Sequence, residues 1–155
     1  MKLSGVIVRA CSVGLIGLLI SVSAVSQERK LKKQQVPAAV LAAFQSAYPN
    51  ATVRGYGKEI ENGKVYYEVE SIESKTTRDV LYNPDGTVAE IEEGIAVGDL
   101  PAEASAALHS KFPKAVITSA EKITRGDVTE YEAHAKLGKR RVSMEFDANG
   151  KPLKN

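Results

Sequence analysis

Few residues in this chain have the types and spacing that chemistry needs. Ser119-Ala120-Glu121-Lys122 has the Ser-x-x-Lys spacing of serine acyl-enzymes. That chemistry places the serine at the start of a helix, with the lysine one turn on. The segment instead reads as a strand, where residues three apart point to opposite faces. No Ser-Asp-Asn or Lys-Thr-Gly element accompanies it. His109 falls on a helical pattern, away from its apolar stripe, and His134 alternates with Glu130 and Glu132. Carboxylate and imidazole can share a divalent ion, but a solvated strand face accounts for the same residues, and no metal or cofactor is expected. Asp85 and Asn149 sit in short turns without the ligand series of a calcium loop. Lys139-Arg140-Arg141 is a local basic cluster in a chain that lacks the wide basic face of a nucleic-acid binder. No catalytic residue is expected, and the chain reads as a non-enzyme.

The elements that carry these residues are written twice. Val36-Pro37-Ala38-Ala39-Val40 through Tyr48-Pro49-Asn50-Ala51 returns as Leu100-Pro101-Ala102-Glu103-Ala104 through Phe112-Pro113-Lys114-Ala115, at an offset of 64 residues. Of 56 aligned pairs from residue 36 on, 12 are identical, and these include the proline, glycine and tyrosine positions that restrict backbone or core geometry. A duplicated unit follows. Each copy opens with a proline, which suits the first helical turn because its missing N–H has no partner there. Val36, Val40, Phe44, Ala47 and Tyr48 form one apolar stripe, and Leu100, Ala104, Ala107, Leu108 and Phe112 form the other. Pro49 and Pro113 stop the helices. The remainder of each copy alternates with period two. Val65, Tyr67 and Val69 face one way, as do Thr129, Tyr131 and Ala133. Asn83-Pro84-Asp85-Gly86 and Asp147-Ala148-Asn149-Gly150 are turns at matching positions.

The expected fold is α+β. It is a tandem repeat of a helix followed by a four-stranded antiparallel sheet, with the helices on one face and the other face open. The expected organisation is a signal peptide at 1–26, a polar lead-in at 27–35, repeats at 36–93 and 99–155, and a linker at 94–98. Whether the two sheets fuse or pack side by side stays open at this point.

The first 26 residues carry Lys2 and Arg9, an apolar run from Val13 to Val22, and Ala24-Val25-Ser26 before Gln27. That is the pattern of a cleaved secretory signal. The run is too short for a retained span, which needs roughly 20 residues. Export to the periplasm or the extracellular space is expected, without a stable membrane anchor after cleavage. Cleavage takes two of the 21 basic residues and none of the 19 acidic ones, so the mature chain is neutral. Attraction to nucleic acid through net charge is therefore excluded. The single cysteine, Cys11, leaves with the signal, so no disulfide remains.

The Pro-bounded helix, the Tyr-Glu strand and the Asn-Pro-Asp-Gly or Asp-Ala-Asn-Gly turn after an aromatic together resemble the PepSY-like, beta-lactamase-inhibitor-like domain family, over residues 36–155. The resemblance implies exported bacterial proteins of α+β fold, similar to tandem-repeat inhibitors that bind an enzyme across an exposed sheet. Period two assigns Tyr56, Lys58, Tyr66, Glu68, Glu70 and Leu81 to the open face in the first copy. It assigns Lys122, Glu130, Glu132, His134 and Arg141 to that face in the second. Tyrosines ringed by polar groups are typical binding anchors. The expected function is an exported, non-enzymatic binding module that presents this face to a protein partner, as an inhibitor-like regulator of an envelope enzyme. The alternative is a structural or sensory envelope protein that binds a small ligand or cell-wall component between the repeats.

Overall fold

The computed structural model describes residues 29–61 and 63–154. The expected signal peptide at 1–26 lies outside the described residues. Among those described, no helix is long and apolar enough to cross a membrane.

Strand β1 (Arg29–Lys30) precedes helix α1 (Ala38–Ala47) and strands β2 (Thr52–Glu61), β3 (Lys64–Glu73), β4 (Thr76–Tyr82) and β5 (Val88–Ile95). Helix α2 (Ala102–Lys111) and strands β6 (Val116–Arg125), β7 (Val128–Leu137) and β8 (Arg140–Asp147) follow. The offset of 64 carries over element by element: α1 to α2, β2 to β6, β3 to β7. Both helices start directly after a proline, which supplies the N-cap, and both end where the N–H of Tyr48 or Phe112 bonds back to Phe44 or Leu108.

All eight strands form one antiparallel sheet in sequential order. Of the two arrangements left open by the sequence, fused or side by side, the chain adopts the fused one, and the sheet has eight strands where four per repeat are expected. The two halves fuse through β5 and β6, which pair from Ile91 opposite Thr124 to Ile95 opposite Ala120. The expected linker is therefore largely structure: Gly94 and Ile95 finish β5, and Val97–Asp99 form a 3-10 turn. The second repeat also lacks a full fourth strand. Its counterpart of β5 is reduced to one bridge between Phe146 and Pro152, because proline cannot donate to a ladder. The polar lead-in contributes β1, which adds to β2 with Arg29 opposite Lys58.

Two apolar clusters hold the helices to one sheet face. Val36, Val40 and Phe44 meet Val69, Val80 and Tyr82 in the first repeat, with Tyr48, Tyr56 and Tyr67 packed at the margin. Leu100, Ala104 and Leu108 meet Ala120, Ala133, Ala135, Met144 and Phe146 in the second, with Tyr131 at the margin. Arg78 spans 4.2 Å to the Tyr48 ring centre and pairs with Glu93 at 2.8 Å, which ties the end of α1 to the sheet. The matching turns press on the helices. Gly86 and Gly150 have φ of 87° and 83°. A Cβ on Gly86 would lie 2.7 Å from the Ala39 carbonyl oxygen, and one on Gly150 would lie 2.7 Å from the Ala104 nitrogen.

Candidate functional site: the sheet face opposite the helices

Residues directly opposite each other in an antiparallel pair share a face. The face away from the helices can therefore be followed across the sheet by register. Tyr66 lies opposite Glu59, and Glu68 lies between Gly57 and Leu81. Glu70, Asp79 and Glu92 stand in one row across β3, β4 and β5. Glu92 lies opposite Ile123, which lies opposite Glu130. Glu121, Glu132 and Glu145 form a second row across β6, β7 and β8. Every strand from β2 to β8 sends at least one carboxylate to this face.

Tyr66, Glu68, Glu70, Leu81, Glu130, Glu132, His134 and Arg141 share the face that the sequence assigns to them. Tyr56 does not. It lies opposite Val69 and packs against the first apolar cluster. Lys58 is likewise opposite Tyr67, and Lys122 is opposite Tyr131. The cause is local. Irregularities between Val53 and Gly55, and between Ile117 and Ser119, shift the phase of β2 and β6, and a one-residue slip exchanges inward for outward side chains. The residues that β2 and β6 present instead are Glu59, Glu61, Glu121 and Arg125. The sequence holds one signal for this arrangement. Gly55 and Gly57 alternate in β2, and they leave room where Cβ atoms would lie 2.9 Å from the Glu70 Oε1 and 2.8 Å from the Glu68 Oε2.

The face is not uniformly wet. Leu81 and Glu90 are buried at its centre, with Glu59, Glu61 and Glu68. Arg125 reaches from β6 across to Glu90, with Nε 2.6 Å from Oε2, and also holds Glu130. Burial opposes the Arg125 charge, but Glu90 and Glu130 more than offset that cost, and its pKa is held above the ordinary arginine value. The pair ties β6 to β5 across the seam between the repeats. His134 has Nε2 at 3.7 Å from Glu121 and Nδ1 at 3.7 Å from Glu132. The Glu121 carboxylate, and then Glu132 against the cost of burial, lift its pKa. Glu145 is also raised, first by burial and then by the Glu132 charge opposite it.

A separate cleft of about 330 Å³ opens at the seam. It is lined by the Ser74–Thr77 turn, Gly94–Ala96 and Ser119–Glu121. Ser74 and Lys75 hold φ of 50° and 75° there, a conformation that costs non-glycine residues energy.

The family model described as "Putative beta-lactamase-inhibitor-like, PepSY-like" matches residues 23–88 and 65–154. No curated protein matches the chain. Among solved structures, a "putative periplasmic" protein from Bacteroides eggerthii aligns with a TM-score of 0.64 at 15% identity, over 77% of this chain and 86% of that one. A DUF2874 family protein from Bacteroides uniformis aligns at 0.62 and 13% identity, over 77% and 87%. A BLIP-like protein from Bacteroides fragilis aligns at 0.57 and 20% identity, over 77% and 84%. At these identities the likeness is one of fold.

Proposed function

The chain belongs to the PepSY-like, beta-lactamase-inhibitor-like family, and from that premise we propose that it is an exported, non-enzymatic module whose acidic sheet face binds a cationic protein partner. The reading includes removal of residues 1–26 on export, supported by the charged start and short apolar run and by the description of one structural neighbour as periplasmic. It also treats 36–93 and 99–155 as the repeating units. An inhibitor-like hold on an envelope enzyme is the form of binding that the family description suggests.

The observation that carries the reading is the continuity of the face. Because β5 pairs with β6, carboxylates from both repeats lie on one uninterrupted sheet. Such a field steers and selects a basic partner more than it sets raw affinity. Affinity needs an apolar anchor, and half-buried Tyr66 supplies one, with a large rigid ring and few torsions to freeze. Glu68, Glu70, Leu81, Glu130, Glu132, His134 and Arg141 complete the proposed surface. Tyr56 is not part of it.

The test is capture from the envelope fraction with wild-type protein and with a Tyr66→Ala, Glu70→Lys double variant, read by mass spectrometry. One basic protein retained by the wild type, released by salt and lost with the variant is the expected result. Equal capture by both baits would remove this face as the site. A second reading is favoured by the cleft at the seam: a small ligand or cell-wall fragment bound between the repeats. Soluble peptidoglycan fragments that shift amide resonances at Thr77 and Ser119, and not at Tyr66, would establish it in place of the first.

A further inference from the structure

We propose that Glu121, Glu132 and His134 form a site for one divalent d-block cation of the zinc class. The ligand atoms of the three side chains all lie within 4.8 Å of one another. The register builds this convergence. Glu121 and Glu132 are directly opposite on β6 and β7, and His134 is the next residue on the same face of β7. The irregularity in β6 lies beside the backbone of the third ligand. Thr118 is left out of the ladder, and its hydroxyl donates to the His134 carbonyl at 3.3 Å. Bulges of this kind often sit beside functional sites, where they re-aim a side chain.

The donor set selects the ion. Calcium and magnesium take oxygen ligands, whereas imidazole with carboxylates suits zinc, nickel or copper. Ligands that share a zinc ion at about 2.0–2.2 Å lie roughly 3–3.5 Å apart. Glutamate torsions alone can close the remaining gap. All three side chains are partly shielded, with 12–29% of each exposed. One side of the site stays open to water or to a ligand from a partner. Electrostatics favours occupancy. Glu121, Glu132 and Glu145 stand in a row across three strands, and like charges placed opposite each other repel. A dication in that row turns repulsion into attraction. The first repeat cannot build the same site, because Gly57, Glu68 and Glu70 occupy the matching positions and supply no imidazole. The expected stoichiometry is therefore one.

The protein has only two histidines, His109 and His134, so imidazole NMR signals give an internal control. His109 lies on α2 with Nδ1 at 2.8 Å from the Ser105 carbonyl oxygen. Untagged, metal-free protein titrated with zinc chloride should bind one equivalent, moving the His134 ring signals and leaving those of His109 in place. His134→Ala and Glu132→Gln should each weaken calorimetric zinc affinity at least tenfold, while melting of the metal-free variants shows that they fold. Calcium chloride should bind far more weakly. Absence of zinc binding, movement of His109 in place of His134, or equal affinity in a folded His134→Ala protein would each overturn the proposal.

Discussion

The two repeats share a backbone plan and solve its interior differently. Under α1 the core is aromatic, with Phe44 and Tyr82 buried and Tyr48, Tyr56 and Tyr67 around them. Under α2 it is built from Ala104, Ala120, Ala133 and Ala135, with Leu108, Met144 and Phe146 as the bulk. The same helix-on-sheet spacing is filled once by rings and once by small residues with long neighbours, which packed interiors tolerate when total volume is kept. What does not vary is the backbone contact at the turn: Gly86 on the start of α1 and Gly150 on the start of α2. The comparison teaches that the turn–helix contacts are what the two repeats hold in common. The cores are free to diverge, and so are the outer faces, where only the second repeat carries a histidine.

That conclusion can be broken most directly at the glycines. Gly86→Ala and Gly150→Ala each add a Cβ where φ is positive and a backbone atom lies 2.7 Å away. Each should cost roughly 3 kcal/mol, read as denaturant midpoints. A mild effect at either glycine would show that the turn–helix contact is not what keeps the repeats alike.

The next change gives the first repeat the interior of the second. Tyr82 is fully buried, its hydroxyl finds no hydrogen-bond partner among the described residues, and burial pushes its pKa up to about 12. Its counterpart is Phe146. Tyr82→Phe should stabilise the protein by about 1 kcal/mol, a rise of a few degrees in Tm. A fall in Tm would reveal a role for the hydroxyl. Ser74→Gly follows the same logic, since Gly138 holds the matching position with φ of 62°. Relief of the left-handed serine should add up to about 1 kcal/mol, measured by thermal melting. A loss of stability would show that the Ser74 side chain makes a contact at the seam that glycine cannot replace.

The smallest effect concerns the turn that each repeat stitches differently. Asp85 accepts from the Thr87 hydroxyl at 2.7 Å and from its N–H at 2.9 Å, and these bonds hold its pKa below the usual carboxylate value. Repeat two has Asn149 there and uses Asp147, which accepts from the N–H groups of Asn149 and Lys151. A depressed carboxylate pKa contributes stability above the unfolded value, and that contribution is lost as pH falls through the folded one. Asp85→Asn should therefore lower Tm slightly at neutral pH, with the gap closing as acid protonates Asp85 below the usual carboxylate range. A gap that persists in acid would assign the difference to something other than the charge.

The helices were legible because prolines bound them and their apolar residues keep a helical period. β3 and β4 were legible because Val65, Tyr67, Val69 and Val80, Tyr82 alternate without interruption. β2 and β6 were not. Each contains an irregularity that changes phase midway, and Gly55 and Gly57 remove side chains that would have marked the faces. Period two therefore puts Tyr56, Lys58 and Lys122 on the wrong side and passes over Glu121 and Arg125. The choice between fused and side-by-side sheets stays open in the sequence, because strand pairing across a seam leaves no periodic trace in either partner. The candidate site was legible where β3, β4, β7 and β8 supply it.

The strand order has a consequence for how the molecule comes into being. Each strand neighbours the one written before it, from β1 to β8. A chain that emerges N-terminus first, from a ribosome or a secretion pore, can lay down each strand on a partner that is already present. Most pairings are hairpins between consecutive strands, and only β1–β2 and β5–β6 close across a helix, so loop-closure delays stay short. The growing edge of the sheet is always its newest strand, and that edge moves along the chain with synthesis. It comes to rest on β8, where Arg140 and Arg141 on the strand and Pro152 at the closing bridge discourage another chain from adding itself.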